Sequence, residues 1–321
     1  HGYQDNISLY GQELNSEVIR IAKMNLVLNG FEADIRLGDS LSSDSYQSIG
    51  RFSYAVADVP AGLQLPDGMK LGDDPRYPFG VPRTADFLWL QQIYTALDDN
   101  GRGAAITLGG ATQRLGKELE IRRKLVETGH IEALVMLPEK MLDNTALSPM
   151  LWLFNKKHTA DNILLIDGRK LFQNDGQKRN SLSHKHIQFL ADIVHLFNGE
   201  TVSKPLTNVP FVTDEQTEKH DFASLFPTNS YQDVVGLCKA VSLTEIEAGN
   251  WVLTPSRYVG DDTLRQLSDL LGKESGLSPT DFQPLGALAT EIKSFNSSDD
   301  TADSPTVDNS ASSSAPVTTP S

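Results

Sequence analysis

Hydrophobic residues fall in three short runs near the start of the chain, and an acidic residue follows each run. The runs and their acids are residues 7–10 with Glu13, residues 33–37 with Asp39, and residues 52–57 with Asp58. Apolar runs of this length predict β-strands. The third run, FSYAVA, is apolar enough to predict a buried, central strand. The acids then lie at strand ends.

The segment between the first two runs predicts a helix. Asn15-Ser16-Glu17 supplies a start signal, apolar residues follow with a helical period, and Asn29-Gly30 supplies a stop signal. Strand, helix and strand make a β-α-β unit, which predicts a Rossmann-like α/β fold. Ligands bind beyond the carboxyl ends of such strands, so we expect Glu13, Asp39 and Asp58 to converge on one crevice.

The role of Glu13 has two interpretations at this point. A carboxylate at the tip of the second strand of a Rossmann-like unit commonly holds the ribose hydroxyls of a nucleoside cofactor. An acid in this position also stabilises the N-terminus of the helix that follows. The spacing alone favours neither interpretation.

The loop after the third predicted strand is where we place the chemistry. It comprises residues 58–61, Asp-Val-Pro-Ala, and residues 63–83, rich in Gly, Pro and Asp, follow it. That second stretch is too long for an ordinary connection, so it either covers a site or is disordered.

The rest of the chain alternates predicted helices and strands. The expected helices are one capped by Thr84-Ala-Asp86 and the segments 113–127, 183–197, 241–246, 263–271 and 285–295. The expected strands are 103–108, 131–137, 147–155 and 163–167. We expect 131–137 and 147–155 to form an antiparallel pair at a sheet edge. Residues 297–321 are rich in Ser, Thr, Asp and Pro and contain no Lys, Arg or aromatic residue, which predicts disorder.

Two clusters of polar residues are candidates for binding. Arg122, Arg123 and Lys124 follow one another on a predicted helix, which indicates a solvated face, with a DNA contact as the alternative. His184 and His186 lie two apart on another helix and cannot face the same way, so we predict exposed side chains and no metal site.

Composition narrows the classes of function. The chain has 321 residues and a net charge of −14, so tight binding of nucleic acid would need a partner or a local basic groove. The single cysteine, Cys238, excludes an internal disulfide framework and a Cys-based zinc site, as is typical of the cytoplasm. No apolar run approaches the roughly 18 residues of a membrane span, and no signal peptide is visible. Because the sequence begins at His1 rather than Met, we interpret it as a fragment or an incomplete gene model.

A set of ordered segments resembles the modification (methyltransferase) subunit of type I restriction systems. The segments are LYGQELNSEVIRIAKMNLVLNG, RLGDSL, the strand and loop around Asp58, FGVPRTADFLWL, GRGAAITLGG, LPEKMLDNTALSPMLWLFNKK and VSLTEIEAGNWVLTPSRY. They span residues 8 to about 259 in the order of the family. The resemblance implies an adenine-N6 DNA methyltransferase that uses S-adenosylmethionine. It also implies a Rossmann-like methyltransferase sheet with helices on both faces, a smaller α-rich C-terminal region and a disordered tail.

The resemblance assigns roles to four residues. Glu13 matches the acid that holds the ribose of S-adenosylmethionine, and Asp39 matches the acid near its adenine. Asp58 matches the first position of the family's (Asn or Asp)-Pro-Pro-(Phe or Tyr) loop, which accepts a hydrogen bond from the target amino group. Pro60 matches the second proline of that loop.

The sequence departs from the pattern of the family at the same loop. Val59 replaces the first proline, which frees the backbone φ angle, and Ala61 replaces the aromatic residue that stacks on the flipped-out adenine. The family's first strand and its glycine-rich loop would lie before His1. We therefore expect weakened activity, or none from this chain alone.

The resemblance also implies an order of regions and a set of partners. We expect a methyltransferase domain at 1–157, a C-terminal extension at 158–260, partner-docking helices at 261–296 and a disordered acidic tail at 297–321. The expected partners are DNA, reached through a specificity subunit, and a restriction nuclease subunit, in the cytoplasm and without a membrane.

Three hypotheses follow. The first is an adenine-specific DNA methyltransferase subunit of a restriction-modification system. The second is a catalytically impaired member of that family, kept as a scaffold or in decay. The third is an unrelated nucleotide-binding α/β enzyme such as a dehydrogenase, which the ordered motifs disfavour.

Overall fold

The computed structural model describes residues 7–60, 62–65, 69, 71–142, 145–174, 179–213 and 216–260. The predictions for Ala61, for the helices 263–271 and 285–295 and for the tail 297–321 fall outside these residues. Within the described ranges, no helix combines the length and the apolar character needed to cross a membrane.

The secondary structure follows the predicted alternation of strands and helices. The strands are β1 Leu9–Glu13, β2 Ala33–Leu37, β3 Phe52–Asp58, β4 Leu97–Leu108, β5 Ile131–Met136, β6 Pro149–Asn155, β7 Asn162–Asp167, β8 Val209–Val212, β9 Thr217–His220 and β10 Cys238–Ser242. The helices are α1 Ser16–Leu28, α2 Asp86–Ala96, α3 Lys117–Glu127, α4 His184–Phe197, α5 Phe222–Leu225, α6 Leu243–Ala248 and α7 Ser256–Val259. A 3₁₀ turn, Gly109–Thr112, joins β4 to the segment before α3.

Two sheets carry the three strand-end acids. β1 and β2 pair in parallel as a separate two-stranded sheet. The larger sheet has six strands in the order β10-β7-β5-β6-β4-β3, with β3 parallel to β4 and β6 antiparallel to both of its neighbours. Glu13 ends β1, Asp39 follows β2 and Asp58 ends β3, so each acid lies at a carboxyl strand end as predicted.

Helices cover both faces of the six-stranded sheet, as β5 shows. Leu134 belongs to a buried cluster with Phe87 of α2 and Leu125 of α3. Val135, the next residue, belongs to a second cluster with Phe189 of α4. Because neighbouring residues of a strand point to opposite faces, these clusters are the two cores of one α/β layer structure. The predicted fold class is confirmed.

The third apolar run is an edge strand, so its prediction as a buried, central strand is wrong. β3 is the last of the described strands in its sheet, and Tyr54 and Val56 are 76% and 79% exposed. β1 pairs with β2 alone among the described strands, and it meets β3 through the rings of Tyr10 and Phe52, whose centroids are 5.5 Å apart. An apolar run shows that a strand forms, but it cannot show how many neighbours the strand has.

The antiparallel pair β5–β6 is confirmed, but its predicted place at a sheet edge is wrong. β6 lies between β5 and β4, and β7 and β10 continue the sheet beyond β5. The described residues of the region 158–260 therefore supply two strands to the main sheet, in addition to the hairpin β8–β9 and four helices. The proposed boundary at residue 157 stays a prediction.

Two side chains predicted to face solvent are buried instead. Arg122 is buried completely, although Arg123 and Lys124 beside it are exposed. His186 is also buried, where its Nδ1 accepts a hydrogen bond from the Ser183 backbone and its Nε2 lies 3.0 Å from the carbonyl oxygen of Pro210. His184 is exposed as expected. Both corrections have one cause, since a charged or polar residue on the inner face of a helix is buried when backbone carbonyls satisfy it.

The position of β5 leads to a stability prediction. Leu134 is fully buried on a central strand, so we expect Leu134→Ala to lower the free energy of unfolding by about 2 to 5 kcal/mol. Leu115 is 70% exposed, and we expect Leu115→Ala to change it by less than about 0.5 kcal/mol. Urea unfolding followed by circular dichroism measures both. Equal stability of the two variants would contradict the central position of β5.

Candidate functional site

Glu13 and the residues after β2 form one half of the candidate site. The parallel register places Glu13 opposite Leu37, and the Gly38 backbone N–H donates to the carbonyl oxygen of Glu13 at 3.0 Å. Glu13 and Asp39 are therefore carried by the ends of adjacent strands. Glu13 Oε1 accepts a hydrogen bond from the Asn15 backbone at 2.8 Å, and Oε2 has no hydrogen-bond partner among the described residues. Both interpretations of Glu13 fit, because one oxygen supports the start of α1 and the other is available to a ligand.

Asp39 organises the loop in which it lies. Its Oδ1 accepts a hydrogen bond from the Leu41 backbone at 3.0 Å, and its Oδ2 accepts one from the Ser42 hydroxyl at 2.6 Å. The Asp39 carbonyl oxygen accepts further bonds from the backbone and the hydroxyl of Ser43. This arrangement is an Asx-turn, which fixes the carboxylate relative to the strand that precedes it.

Gln12 connects β1 to the same loop. Its Nε2 donates to the carbonyl oxygen and the hydroxyl of Ser43, at 3.2 and 3.0 Å, and its Oε1 accepts from the Ser45 backbone at 2.9 Å. A Cβ atom on Gly38 would lie 2.9 Å from Gln12 Nε2, so glycine at position 38 leaves the room for this bridge. Gln12 thus links the strand that carries Glu13 to the loop that carries Asp39, in addition to the pairing of β1 with β2.

Arg76 holds the Asp39 loop from the other side, although it is remote in sequence. Its side chain is buried, with Nη1 donating to the carbonyl oxygens of Ser40 at 2.7 Å and Ser43 at 3.0 Å, and Nη2 donating to that of Leu41 at 3.2 Å. The same guanidinium donates to both carboxylate oxygens of Asp74, and these hydrogen bonds lower the pKa of the Asp74 carboxyl. Three loop carbonyls and one carboxylate therefore share one planar cation.

Tyr77 and Gln92 complete this clamp. The Tyr77 hydroxyl donates to the carbonyl oxygen of Leu41 at 2.6 Å, and burial raises the pKa of Tyr77 to about 12. Gln92 of α2 donates to the carbonyl oxygen of Ser40 at 2.8 Å and to the Tyr77 hydroxyl at 2.6 Å. Of the two alternatives for the stretch 63–83, the structure shows that its described part after residue 71 is ordered and packs against the site.

Asp58 and Val59 form the other half of the candidate site. Asp58 is exposed, and its carboxylate has no hydrogen-bond partner among the described residues, so it can accept a hydrogen bond from a ligand. Val59 is buried, and its backbone N–H donates to the carbonyl oxygen of Ile106 at 3.0 Å. The expectation that Val59 loosens the loop is wrong, because this hydrogen bond continues the β3–β4 ladder by one residue. Pro60, the next residue in the loop, is exposed.

Trp89 of α2 lies between the two halves. It packs against the core cluster that contains Val59 and also against a smaller cluster that contains Leu41 and Tyr77. The loops after β2 and β3 are therefore attached to the same helix. The structure gives all three acids their strand-end positions, while their meeting in a single crevice stays a prediction.

A second charged cluster lies beside the segment that follows the Asp58 loop. Arg114 donates to the buried carboxylate of Asp86 and, at 3.0 Å, to the Thr84 hydroxyl, and its Nη1 lies 3.6 Å from Glu118 Oε2. The Thr84 hydroxyl donates in turn to Glu118. The prediction that Thr84 caps α2 is therefore wrong, because no side chain makes a capping hydrogen bond at the start of this helix. Burial is the largest single influence on Arg114 and lowers its pKa, but the hydrogen bond to Asp86 and the negative charges of Asp86 and Glu118 together outweigh it, so the pKa of Arg114 is raised.

Arg122 fixes the segment that carries Arg114. Its Nε donates to the carbonyl oxygen of Trp251 at 2.6 Å, and its Nη1 donates to those of Ala111 and Arg114 at 3.2 and 2.9 Å. Burial lowers the pKa of Arg122 to about 10. The pattern of the sequence did not reveal Arg76, Gln92 or Arg114, and it singled out Arg122 without its structural role, because each acts mainly on backbone or carboxylate groups that only the tertiary fold brings near.

Comparisons with known proteins agree with this architecture. Residues 1–266 match the family model described as N-6 DNA Methylase. The type I restriction enzyme HindI methylase subunit of Haemophilus influenzae is 26% identical over 304 residues, which cover 91% of this chain and 62% of the relative. The MjaIX methylase subunit of Methanocaldococcus jannaschii is 27% identical over 268 residues, covering 80% and 43%.

A solved structure shares the fold. The methyltransferase subunit of a type I restriction-modification system from Streptococcus thermophilus superposes with a TM-score of 0.65 at 23% identity, over 81% of this chain and 56% of the other. The chain thus spans between 43% and 62% of the length of these relatives.

The Arg76 clamp leads to a prediction about the Asp39 loop. Arg76→Gln removes the cation from a buried ion pair and one hydrogen bond from each of three carbonyls, so we expect the local unfolding free energy of the loop to fall by about 3 kcal/mol. The Ser43 backbone amide should then exchange with deuterium roughly a hundredfold faster. Hydrogen exchange followed by mass spectrometry measures this.

Arg20→Gln is the matched control. Arg20 makes an exposed ion pair with Glu17, and its loss should leave exchange at Ser43 unchanged. Parent-like exchange at Ser43 in Arg76→Gln would show that Arg76 does not hold the loop.

Proposed function

Because the chain belongs to the N-6 DNA methylase family, we propose that it forms the catalytic core of an adenine-N6 DNA methyltransferase of the type I restriction-modification kind. The observation that carries the proposal is the parallel pairing of β1 with β2, which gives Glu13 and Asp39 neighbouring positions at strand ends. A nucleoside cofactor needs acceptors of this kind for its ribose and base. Asp58, on the edge strand β3, then serves the target adenine.

The residues present fit the nucleoside part of S-adenosylmethionine. Glu13 Oε2 can accept from the ribose hydroxyls, and Asp39, fixed by its Asx-turn, can accept from the adenine amino group. When bound, S-adenosylmethionine supplies an electrophilic methyl group. Gln12 and Arg76 orient the two acids without contacting the cofactor in this proposal.

Asp58 is the proposed catalytic acceptor. The target adenine must leave the duplex to be reached by the protein. The exposed carboxylate of Asp58 accepts a hydrogen bond from its amino group, which increases the electron density on the nitrogen that is methylated. Pro60 restricts the backbone that presents the base.

A second candidate function is a scaffold role without catalysis, and Val59 favours it. Its buried side chain and its hydrogen bond to Ile106 show that valine at this position is part of the core and the sheet, not a surface variation. A proline there could not donate that hydrogen bond. A loop adapted to valine is compatible with a subunit that supports an assembly and no longer transfers a methyl group.

The proposed partners follow from the same family. A specificity subunit would bring the chain to DNA, docking on the segment after Asp261, and a restriction nuclease subunit would complete the assembly in the cytoplasm. Since the net charge is −14, the isolated chain should bind duplex DNA weakly.

Binding of S-adenosylmethionine tests the role of Glu13. We expect Glu13→Gln to raise the Kd about tenfold to a hundredfold, because a hydrogen bond to a charged acceptor contributes about 1.5 to 3 kcal/mol. Glu17→Gln, on the exposed side of the same helix start, should leave the Kd unchanged. Isothermal titration calorimetry measures both. If the parent protein, in complex with its specificity subunit, does not bind S-adenosylmethionine, the scaffold role replaces the catalytic one.

The loop after β3 is tested by adding the missing ring. We expect Ala61→Phe to raise methyl transfer to DNA about tenfold or more, because stacking on an aromatic contributes roughly 1 to 3 kcal/mol per base. Ala61→Leu adds bulk without a π-face and should gain less, and Asp58→Ala should abolish transfer. Val59→Pro should add nothing, since it removes the hydrogen bond to Ile106. The assay uses labelled S-adenosylmethionine and the assembled complex; equal rates for the parent and Ala61→Phe would show that the loop needs no ring.

A further inference from the structure

A cavity of about 630 Å³ lies between the segment that follows the Asp58 loop and the start of α3. Gln64 and Thr84 form one wall, where two short backbone stretches pair through hydrogen bonds from Leu65 to Arg83 and from Ala85 to Leu63, at 3.3 and 2.8 Å. Lys117 and Glu118, at the start of α3, form the opposite wall. Gln64, in the first of these walls, follows Asp58 by six residues in the sequence.

Three basic side chains line this cavity. Arg83 and Lys117 are exposed, and neither has a carboxylate partner among the described residues. Arg114 is the third, but its charge is already engaged by Asp86 and Glu118. The three basic side chains and the two carboxylates together have a net charge of +1. Arg83 and Lys117 are the two of them that are available to a ligand.

The backbone adds further donors at the same place. α3 has 11 residues, and its N-cap, Gly116, has no side chain to accept hydrogen bonds from the first turn. The N–H groups of Lys117, Glu118 and Leu119 have no acceptor in the described part of the chain. A helix start in this condition carries a partial positive charge and favours an anion.

We propose that this cavity binds a backbone phosphate of the DNA strand that carries the target adenine, with Arg83 and Lys117 as its ligands. The inference rests on the proposed function, which makes DNA the substrate of the Asp58 loop. Arg114, held by Asp86 and by the carbonyl contact to Arg122, gives the site a fixed wall. The site supplies the local basic groove that an otherwise acidic chain needs in order to approach DNA.

The salt dependence of DNA binding tests the proposal. Each phosphate contact contributes about −0.9 to the slope of log K against log salt concentration. For the chain assembled with its specificity subunit, we expect the double variant Arg83→Gln/Lys117→Gln to reduce the steepness of this slope by about 0.9, because both side chains bind the same phosphate, and each single variant to reduce it by part of that amount. The loss of affinity should be alike on cognate and non-cognate duplexes, because phosphates carry no sequence information.

Arg123→Gln is the matched control. Arg123 lies on the same helix, is exposed, and pairs with Glu127, so the variant loses the same charge away from the cavity. Its slope should equal that of the parent complex. Fluorescence anisotropy with a labelled duplex between about 50 and 300 mM KCl gives the slopes. Slopes of Arg83→Gln and Lys117→Gln that match the control would overturn the proposal, as would a parent complex without salt-dependent DNA binding.

Methyl transfer measured on the same samples separates this inference from the proposed function. Reduced slopes in complexes that transfer no methyl group would support the phosphate site and contradict catalysis. Efficient methyl transfer with unchanged slopes would support catalysis and remove the phosphate site.

Discussion

The candidate cofactor half of the site depends on one buried guanidinium, that of Arg76. Burying a charge is unfavourable unless its donors are satisfied, and here they bond to Asp74 and to three carbonyls of the loop after β2. Each of these carbonyls accepts one further hydrogen bond, from Gln92 at Ser40, from Tyr77 at Leu41 and from Gln12 at Ser43. The loop 40–43 and the segment 74–77 therefore stabilise each other, and a lysine, with one compact charge and no planar fork, could not join the same groups.

The elements predicted correctly are those in which local signals decide the structure. α1 begins after Asn15, whose side chain accepts from the Glu17 backbone, and it ends before Gly30, which has a φ of 79°. β2 matches its predicted bounds because an alternating apolar run between turn residues determines it. These signals act over four or five residues, and the sequence contains all of them.

The errors concern groups whose surroundings come from distant parts of the chain. Arg122 looks like a solvated residue between Ile121 and Arg123, and it is buried because Trp251 and Ala111 offer it carbonyl oxygens. Tyr54 and Val56 look like core residues, and they are exposed because they lie on the face of β3 opposite to Ala55 and Ala57, which pack against the core. The motif residues Glu13, Asp39 and Asp58 could be located through a family resemblance, whereas the residues that hold them in place could not.

Among the described strands, β1 pairs with β2 alone and β3 with β4 alone, so each leaves a row of backbone N–H and C=O groups unpaired, and β3 also exposes the apolar side chains of Tyr54 and Val56. An open strand edge with apolar neighbours is a template for another strand, because pairing satisfies the backbone and covers the side chains together. These unpaired strand edges therefore limit the concentration at which the isolated chain stays in solution. At rising concentration, edge-to-edge association competes with the monomer, and a bound partner strand would act as a solubilising agent.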